Sequence, residues 1–285
     1  MTMQKLSPSA ILTYETCGKQ YQYKYAMRMD DPYTGHSLIF GKAIDHAIEA
    51  VLYDLLGGGN GDLAVDAFNA EFTRLTEAEA IQWGSRFSES ELRDIGTKLM
   101  KAFPASWKAT GFTACVGLDG KLLTQRKLRF ALPDQVVVTV IPDLIATDRA
   151  GLTWAIDMKT AAQLSAEGFA DLSDQLTCQQ IVIDAHLKEL GLKHPVAGVA
   201  FFEGVKQKTN PGWHLSKGKR REPHVVQQYL QKAKHVAKEV RDGYFPTRSA
   251  MAFNTPCGLC AFAKACKAER EGQVQEATSR LMAAA

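Results

Sequence analysis

The sequence predicts an α/β or α+β domain with a helical N-terminal portion, and three observations support that prediction. Apolar residues recur at helical spacing through the first hundred residues, and from about residue 112 the spacing changes to the two-residue period of strands. Helical spacing then returns before and after one further strand. Helices followed by a strand meander, and then by a helix, a strand and a helix, are typical of a layered domain built on a sheet.

The limits of the N-terminal helices follow from their end signals. Ser7 as N-cap with Pro8 in the first turn predicts a helix start, and Ser88-x-x-Glu91 matches a capping box. The glycine-rich stretch 57–61 ends the helix that precedes it. We therefore predict helices over residues 8–26, 38–56, 62–82 and 88–104.

The strands are predicted from short runs rich in Val, Leu, Ile and Thr. Turn signals such as Asp119-Gly120 and Pro133-Asp134 separate these runs. They predict strands over residues 112–118, 121–132, 135–147 and 152–159. The predicted order is completed by a helix over 167–190, a strand over 195–205, a basic loop that ends at Pro223 and a helix over 223–241.

Length and composition exclude several classes of protein. The 285 residues are enough for one large domain or two small ones. With 46% hydrophobic and 23% charged residues, the composition excludes disordered and fibrous proteins. No apolar stretch approaches the roughly 20 residues of a membrane span, and the N-terminus lacks the long apolar core of a signal peptide. We therefore expect a cytoplasmic protein without a membrane partner.

The net charge of +3 conceals a separation of charge along the chain. Residues 45–94 contain eleven acidic and three basic side chains, whereas residues 206–248 contain eleven basic and three acidic ones. A basic region on a nearly neutral chain indicates a polyanionic partner that docks on one side. A solvated helix face next to a charged loop explains the charge pattern equally well.

Two acidic residues and a lysine in neighbouring predicted strands form a candidate catalytic site. Asp157 and Lys159, two residues apart, project from the same face of a strand. A hairpin closed over 148–152 sets Asp143 opposite Asp157, and facing carboxylates favour a cation between them. Mg²⁺ and Mn²⁺ prefer such oxygen ligands, and a nearby lysine can assist attack by water. The alternative is an amphipathic hairpin whose Lys159 pairs with Asp157 in water.

The spacing of Pro142-Asp143 and Asp157-x-Lys159, with thirteen residues between the two aspartates, resembles the signature of the PD-(D/E)xK nuclease superfamily. The chain resembles the RecB-like branch of that superfamily from its first helix to its last cysteine. This resemblance implies a restriction-endonuclease-like core, in which helices flank a mixed central sheet, and a C-terminal cysteine-cluster segment.

The same resemblance implies roles for individual residues. Mg²⁺ or Mn²⁺ would be held by Asp143, Asp157, the main-chain carbonyl of Met158 and His46 on an N-terminal helix. Asp143, Asp157 and Lys159 would be catalytic. So would Gln175, which begins the equivalent of the family's Gln-x-x-x-Tyr motif. Gln179 stands in place of the tyrosine, and its role stays open.

Four of the six cysteines form a second candidate site. Cys257, Cys260 and Cys266 follow a C-x2-C-x5-C pattern, and Cys17 is the candidate for a fourth ligand. The arrangement is similar to the 4Fe–4S site of AddB-type exonuclease domains and of iron–sulfur CRISPR-associated nucleases. A structural Zn²⁺ is the alternative, because bare C-x2-C spacing suits zinc as well. Thiols in or near the core are expected for Cys115 and Cys178.

The basic stretch from Lys206 to Arg221 combines charged residues with an embedded tryptophan. Lysine and arginine contact phosphates, and an exposed aromatic ring can stack on a base. We therefore predict DNA contacts from Lys206, Lys208, Trp213, Lys217, Lys219, Arg220 and Arg221. A merely solvated loop is the alternative.

Sequence and resemblance together predict a Mg²⁺- or Mn²⁺-dependent DNA exonuclease. We interpret residues 1–285 as a single nuclease domain, with a helical portion (1–110), a catalytic sheet and helix (111–205) and a basic and cysteine-rich part (206–285). The expected partners are single-stranded or end-containing duplex DNA and a recombination, helicase or CRISPR adaptation protein. A non-catalytic DNA-binding or adaptor module that keeps the fold and the cluster is the alternative.

Overall fold

The helices and strands follow one another in nearly the predicted order in a computed structural model, which describes residues 4–29, 34–84, 86–248, 257 and 260–272. The helices are α1 (Pro8–Thr16), α2 (Gly18–Tyr21), α3 (His36–Leu56), α4 (Ala64–Ala78), α5 (Glu89–Thr110), α6 (Phe169–Leu172), α7 (Asp174–Ala185), α8 (Leu187–Leu190), α9 (Pro223–Arg241) and α10 (Ala263–Arg270). A π-helical turn, Gln22–Ala26, follows α2. None of the helices in this described part of the chain combines the length and apolar composition that a membrane span needs.

The strands are short in the N-terminal half and long around the centre of the chain. They are β1 (Gln4–Leu6), β2 (Thr34–Gly35), β3 (Ile81–Gln82), β4 (Thr113–Ala114), β5 (Leu128–Leu132), β6 (Val136–Val140), β7 (Leu144–Thr147), β8 (Thr153–Ala161), β9 (Val196–Val205) and β10 (Gly212–Lys219). β2 and β3 pair with each other, and β1, β6 and β5 form a three-stranded sheet in the order β1-β6-β5.

Several predicted elements are interrupted. Cys17 adopts an extended backbone (φ −165°, ψ 113°) that separates α1 from α2, so the helix predicted over 8–26 is not continuous. The strand predicted over 135–147 is divided into β6 and β7 at Pro142, which has no N–H for the ladder. The helix predicted over 167–190 is likewise three helices. By contrast, both hydrogen bonds of the Ser88–Glu91 capping box are present at the start of α5.

A mixed five-stranded sheet in the order β10-β9-β8-β7-β4 forms the centre of the structure. β8 and β9 are parallel, and α6, α7 and α8 lie between them in the chain, whereas the other neighbours in this sheet are antiparallel. Thr147 pairs with Thr153 and Leu144 with Ile156, which is the register that the sequence predicts. A mixed sheet flanked by helices confirms the predicted fold class.

Aromatic residues of α3, α4 and α5 fill the core on one face of this sheet. Phe40, Phe68 and Phe72 are fully buried, and their ring centroids lie 5.4 to 6.4 Å apart. Each buried phenylalanine contributes about 2–3 kcal/mol to stability. The sheet adds Ile156 and Met158 of β8 to the same core. Because side chains alternate along a strand, the odd-numbered residues of β8, including Asp157 and Lys159, project from its opposite face.

The chain divides into two compact units. The first unit comprises Met1–Pro32, Ala131–Val138 and Leu230–Ala285, and the second comprises Tyr33–Phe130 and Thr139–Tyr229. In the first unit, β1 runs parallel to the start of β6, and Tyr14 Oη donates a hydrogen bond to the Tyr244 carbonyl at 2.9 Å. The second unit contains the five-stranded sheet and its aromatic core. The interpretation of residues 1–285 as one domain stays a prediction.

Candidate active site

Two carboxylates meet where the β7–β8 hairpin begins. Asp143 directly precedes β7, and the hairpin register carries it to a position opposite Asp157 of β8. The Met158 N–H donates to Asp143 Oδ2 at 3.0 Å, which holds that carboxylate beside β8. The predicted register is therefore confirmed, and it brings the two candidate catalytic aspartates together.

Asp157 is fully buried and is held by three side chains. Its Oδ1 accepts hydrogen bonds from Gln175 Nε2 at 2.6 Å and from Gln179 Nε2 at 2.9 Å. Its Oδ2 forms an ion pair with Lys159 Nζ at 2.6 Å. A buried carboxylate is costly unless donors and cations surround it, and these three side chains supply that compensation. Gln179 thus takes a position at the site equivalent to that of Gln175.

A third carboxylate, Asp45 of α3, belongs to the same electrostatic cluster. Burial raises the pKa of Asp45 to about 7; the charge of Lys159 opposes this rise and that of Asp157 adds to it. Burial and the Asp157 charge also hold the pKa of Asp143 well above its usual range. Burial lowers the pKa of Lys159, but the three carboxylates outweigh it, so the net pKa is raised and Nζ is protonated at neutral pH.

A small cavity of about 20 Å³ lies beside these carboxylates. Asp45, Glu49, Gln125 and Asp143 contribute its polar lining. Gln125 Nε2 donates to Asp143 Oδ1 at 3.4 Å. A volume of this order is enough for roughly one water molecule. The cavity thus places oxygen atoms around a space that suits a small cation or a water.

The residues fit a divalent cation by their chemistry. Among the described residues, no group of three or more His, Cys, Asp and Glu side chains is close enough to hold a metal ion by itself. Mg²⁺ is usually held by one or two carboxylates, with water and substrate oxygens as its other ligands. Asp143 and Asp157 meet that requirement, and a cation between them would relieve the excess of negative charge that raises the pKa of Asp143.

His46 follows Asp45 on α3, and its role as a metal ligand stays a prediction. Successive residues of a helix are turned by about 100°, so His46 and Asp45 point in different directions from α3. The His46 side chain is exposed. It lies near Glu71 of α4, whose pKa is lowered mainly by a hydrogen bond from Arg74 and also by the His46 charge. Asp45, which is not among the residues predicted from the sequence, interacts electrostatically with Asp157 and Lys159.

One sequence signal could have identified Asp45. Asp45 and Glu49 are four residues apart and therefore share a face of α3, and neither belongs to the buried stripe that contains Ile44 and Ile48. Glu49 accepts a hydrogen bond from Thr124 Oγ1 at 2.9 Å, so this acidic face is directed at the segment before β7. Two acidic residues on the helix face beside the apolar stripe were thus the pattern that indicated a residue of the site.

Comparison with protein families decides which group this arrangement belongs to. The model of the PD-(D/E)XK nuclease superfamily matches residues 5–267, which is most of the chain. The chain belongs to this superfamily. Asp143, Asp157 and Lys159 are the aspartates and lysine by which its sequence resembles the superfamily signature, and the structure places them within one site.

The fold of this PD-(D/E)XK nuclease is similar to that of solved structures at low sequence identity. A "Putative exonuclease" from Eubacterium rectale matches with a TM-score of 0.50 and 10% identity, over 87% of this chain and 86% of that chain. The protein SSO0001 matches with a TM-score of 0.35 and 10% identity over 94% of this chain and 88% of that chain, a similarity too low to support an argument. The first similarity supports the restriction-endonuclease-like fold alone. No curated protein matches the chain significantly by sequence.

The predicted DNA-binding loop of the nuclease is largely a strand, β10, at the edge of the central sheet. The sequence predicts a Trp213 ring that is free to stack on a base. In the structure this ring instead packs within the protein. Its ring lies against Phe202 with centroids 5.0 Å apart, and its Nε1 donates to the Leu99 carbonyl at 2.8 Å. The alternation of β10 directs this tryptophan toward the aromatic core.

Arg221 is buried, and its contacts are those of a structural residue. Its Nε donates to Thr177 Oγ1 at 2.9 Å, its Nη1 to the Lys219 carbonyl at 2.9 Å and its Nη2 to the Ala170 carbonyl. The Arg221 N–H donates to Gln180 Oε1 at 2.7 Å. The prediction that Arg221 contacts DNA is therefore wrong, because its guanidinium is occupied in joining α6, α7 and β10.

The other predicted DNA-binding cations differ in how accessible they are. Lys217 and Lys219 are exposed, with Lys217 Nζ 5.2 Å from the ring centroids of both Phe112 and Trp154. Lys208 pairs with Glu91 at 2.5 Å, and Arg220 pairs with Asp184 at 2.7 Å. Lys206 is buried. Contact of these five residues with DNA stays a prediction.

The four cysteines of the proposed cluster lie in the first unit and are neighbours there. Cys17 separates α1 from α2, Cys260 precedes α10 and Cys266 lies within it. Burial raises the pKa of Cys260, and the charges of Cys17, Cys257 and Cys266 add to this rise. The thiols are thus near one another, although no compact metal-holding group is formed among the described residues. Four neighbouring thiols are the donors that an iron–sulfur cluster or zinc takes.

The remaining two cysteines are thiols in or near the core, as expected. Burial raises the pKa of Cys115 to about 11 and that of Cys178 to about 12. Cys178 is fully buried in α7, and Cys115 is half-buried. A buried thiol that stays protonated at neutral pH is a poor nucleophile.

The contrast between neighbouring Arg221 and Arg220 gives a stability test. We expect Arg221→Met to lower the free energy of unfolding by about 3 kcal/mol or more, because buried acceptors lose their donors. Arg220→Met should cost at most about 1 kcal/mol, since its ion pair with Asp184 is partly exposed. Urea unfolding followed by circular dichroism measures both. Equal losses in the two variants would contradict the structural role of Arg221.

Proposed function

We propose that this nuclease hydrolyses DNA phosphodiester bonds with Mg²⁺ or Mn²⁺ and acts from DNA ends. The observation that carries the hydrolytic proposal is the meeting of Asp143 and Asp157 beside a protonated Lys159 within one site. DNA as substrate follows from the superfamily and from the basic part of the chain. Action at ends rests on the resemblance to the RecB-like branch. The E. rectale neighbour bears an exonuclease name, but its low identity supports only the fold.

The carboxylates and the glutamines have separate roles in this mechanism. Asp143 and Asp157 would hold the cation with the Met158 carbonyl, and when bound it supplies Lewis-acid stabilisation of the charge that develops on the phosphate. Gln175 and Gln179 fix Oδ1 of Asp157 by their amide donors. This orientation leaves the Oδ2 side of the carboxylate directed at Lys159.

Lys159 acts through its charge and its hydrogen bonds. Its raised pKa keeps Nζ protonated at neutral pH, so it serves as a donor and not as a general base in the protein without cation. A fixed ammonium group can orient the attacking water and offset the negative charge gained by the phosphoryl oxygens in the transition state. About two-fifths of the Lys159 side chain is exposed, so a substrate can reach it.

The four neighbouring cysteines carry a second part of the proposal. We infer that Cys17, Cys257, Cys260 and Cys266 hold a 4Fe–4S cluster, as in the RecB-like nucleases that the sequence resembles, with a structural Zn²⁺ as the alternative. The group would join segments about 240 residues apart in the first unit. It takes no part in hydrolysis, for which the second unit carries the carboxylates. The proposed setting is the cytoplasm, with a recombination, helicase or CRISPR adaptation protein as partner.

Cleavage of end-labelled DNA tests the proposed hydrolysis. The wild-type protein should degrade single-stranded or duplex DNA with Mg²⁺ or Mn²⁺ and be inactive with a chelator. Asp157→Asn and Lys159→Met should each lower the rate by about 100-fold or more, since each removes stabilisation of the transition state. Binding without cleavage by the wild type would favour a non-catalytic DNA-binding module. A circular substrate that is cut as fast as a linear one would refute action from ends.

The neighbours Asp45 and His46 provide a matched pair on α3. Asp45→Asn should raise the Mg²⁺ concentration needed for half-maximal cleavage by several fold, because a carboxylate next to Asp143 and Asp157 attracts the cation. His46→Ala should leave this concentration within about twofold of wild type, since its side chain is turned from Asp45 by about 100° and lies near Glu71 of α4. The reverse order of effects would support the original prediction for His46.

Metal content and colour test the cysteine site separately. The purified protein should be brown and contain iron, and Cys260→Ser should lose both and unfold at a lower temperature. Cys178→Ser, which removes a buried thiol elsewhere, should keep the iron. A colourless protein with one zinc ion would replace the cluster by the zinc alternative. A protein with neither metal would end this part of the proposal.

A further inference from the structure

Lys206 is a buried cation with no acidic partner among the residues that the structure describes. It follows β9, and only 7% of its surface is exposed. Its Nζ lies 5.5 Å from the centroid of the Phe40 ring in the first turns of α3. Within the described ranges of the chain, no carboxylate forms an ion pair with it, whereas nearby Lys208 and Lys42 pair with Glu91 and Glu79. Burial of an ammonium group without a counter-charge is unfavourable, and an anion bound beside it would relieve this cost.

A second cation, Arg86, lies against the same Phe87 ring as Lys208, which is two residues from Lys206; Lys208 Nζ is 5.9 Å from the centroid of that ring. Burial lowers the pKa of Lys206, and the positive charge of Arg86 lowers it further. Arg86 is exposed, with its guanidinium 5.3 Å from the centroid of the neighbouring Phe87 ring. Two cations that repel each other, one of them buried, form a pair to which a phosphate group would bind favourably.

An exposed aromatic pair lies at the start of α3, the helix whose Phe40 contacts Lys206. Trp83 is 37% exposed, and its ring stacks on His36 with centroids 6.3 Å apart and planes at 22°. His36 begins α3, and its Nδ1 accepts a hydrogen bond from the Gly84 N–H at 3.2 Å. A Cβ at Gly84 would stand 2.7 Å from the His36 ring, so only glycine allows this approach without a shift. The contacts with His36 hold the tryptophan ring in place, with one part open to solvent.

The strands connect this surface to the catalytic lysine. The Lys206 N–H donates to the Ala161 carbonyl at 2.7 Å, at the end of β8. Ala161 is two residues beyond Lys159, which corresponds to roughly 7 Å along a strand. Lys206 therefore lies close to Lys159 at the end of the sheet, with its side chain on the α3 face and that of Lys159 on the opposite face. A DNA strand that contacts both lysines crosses this end of the sheet.

We propose that His36, Trp83, Arg86 and Lys206 form a binding surface for single-stranded DNA next to the catalytic site. Lys206 and Arg86 contact a phosphate, and a neighbouring base stacks on Trp83. The inference rests on the proposed nuclease function and names where its substrate strand runs. It also assigns to Trp83 the stacking role that the sequence analysis gave to Trp213, and it retains Lys206 from the predicted DNA-binding residues. A single strand suits the surface because its bases are free to stack.

Binding of a fluorescently labelled oligothymidylate, measured by anisotropy in a chelator, tests this surface without hydrolysis. Trp83→Ala should weaken binding by roughly fivefold or more and leave the salt dependence unchanged, as expected for loss of one stacked base. Arg86→Ala and Lys206→Met should each weaken binding and reduce the slope of log Kd against log salt by about 0.7, as expected for loss of one phosphate contact. Methionine keeps an apolar stem against Phe40, and thermal melting verifies that each variant is folded.

Two exposed residues of the same unit serve as controls. Arg74→Ala removes the same charge from α4, and Tyr53→Ala removes an exposed ring from α3; both should bind DNA like the wild type. Loss of affinity equal to that of Arg86→Ala in the Arg74 variant would mean a general charge effect and overturn the inference. So would wild-type affinity in the Trp83 and Arg86 variants. If the inference fails in this way but the wild type cleaves DNA, the nuclease proposal stands. A wild-type protein that neither binds nor cleaves DNA refutes both the nuclease proposal and the binding surface.

Discussion

Burial of the Asp157 carboxylate is the constraint on which the catalytic unit is organised. The carboxylate is placed in the middle of a central strand, where its side chain is shielded from bulk solvent. Two glutamines reach it from the helix between β8 and β9, and a lysine reaches it from two residues along its own strand. Because β8 and β9 are parallel, the chain between them crosses over the sheet. This crossover places α7 on the face from which Asp157 projects. The opposing Asp143 adds a second negative charge, which the proposed divalent cation would balance.

The hairpin and the approach of its two aspartates could be predicted from the sequence, because the position of the turn fixes which residues of the two strands face each other. Once the turn over 148–152 is recognised, every opposing pair follows, including the approach of Asp143 to Asp157. The side-chain directions on helix α3 could not be predicted in the same way. An apolar stripe defines the buried side of α3, but the neighbouring faces differ by one residue, and only the packing of the helix shows whether Asp45 or His46 is directed at the strands.

The basic segment shows what composition does not reveal. Charge counts describe Arg220 and Arg221 alike, yet one is exposed and the other is buried among carbonyl groups. The run of lysines, glycines and a serine also concealed β10, whose Trp213 and Leu215 pack toward the core. Lysines on an edge strand oppose pairing with a second sheet, so the charge of this segment serves the fold as well as any ligand. The exposed Trp83, by contrast, lies in a region with no basic run.

The division of the first unit among three segments of the chain has a consequence for the order of folding. Its contacts join residues more than 200 positions apart, such as Tyr14 with Tyr244 and Tyr23 with Glu269. The second unit needs no residue beyond Tyr229. During synthesis from the N-terminus, the catalytic sheet can thus form while the partners of α1 are still missing. The first unit closes last, and its long-range contacts make that step slow relative to the helical parts.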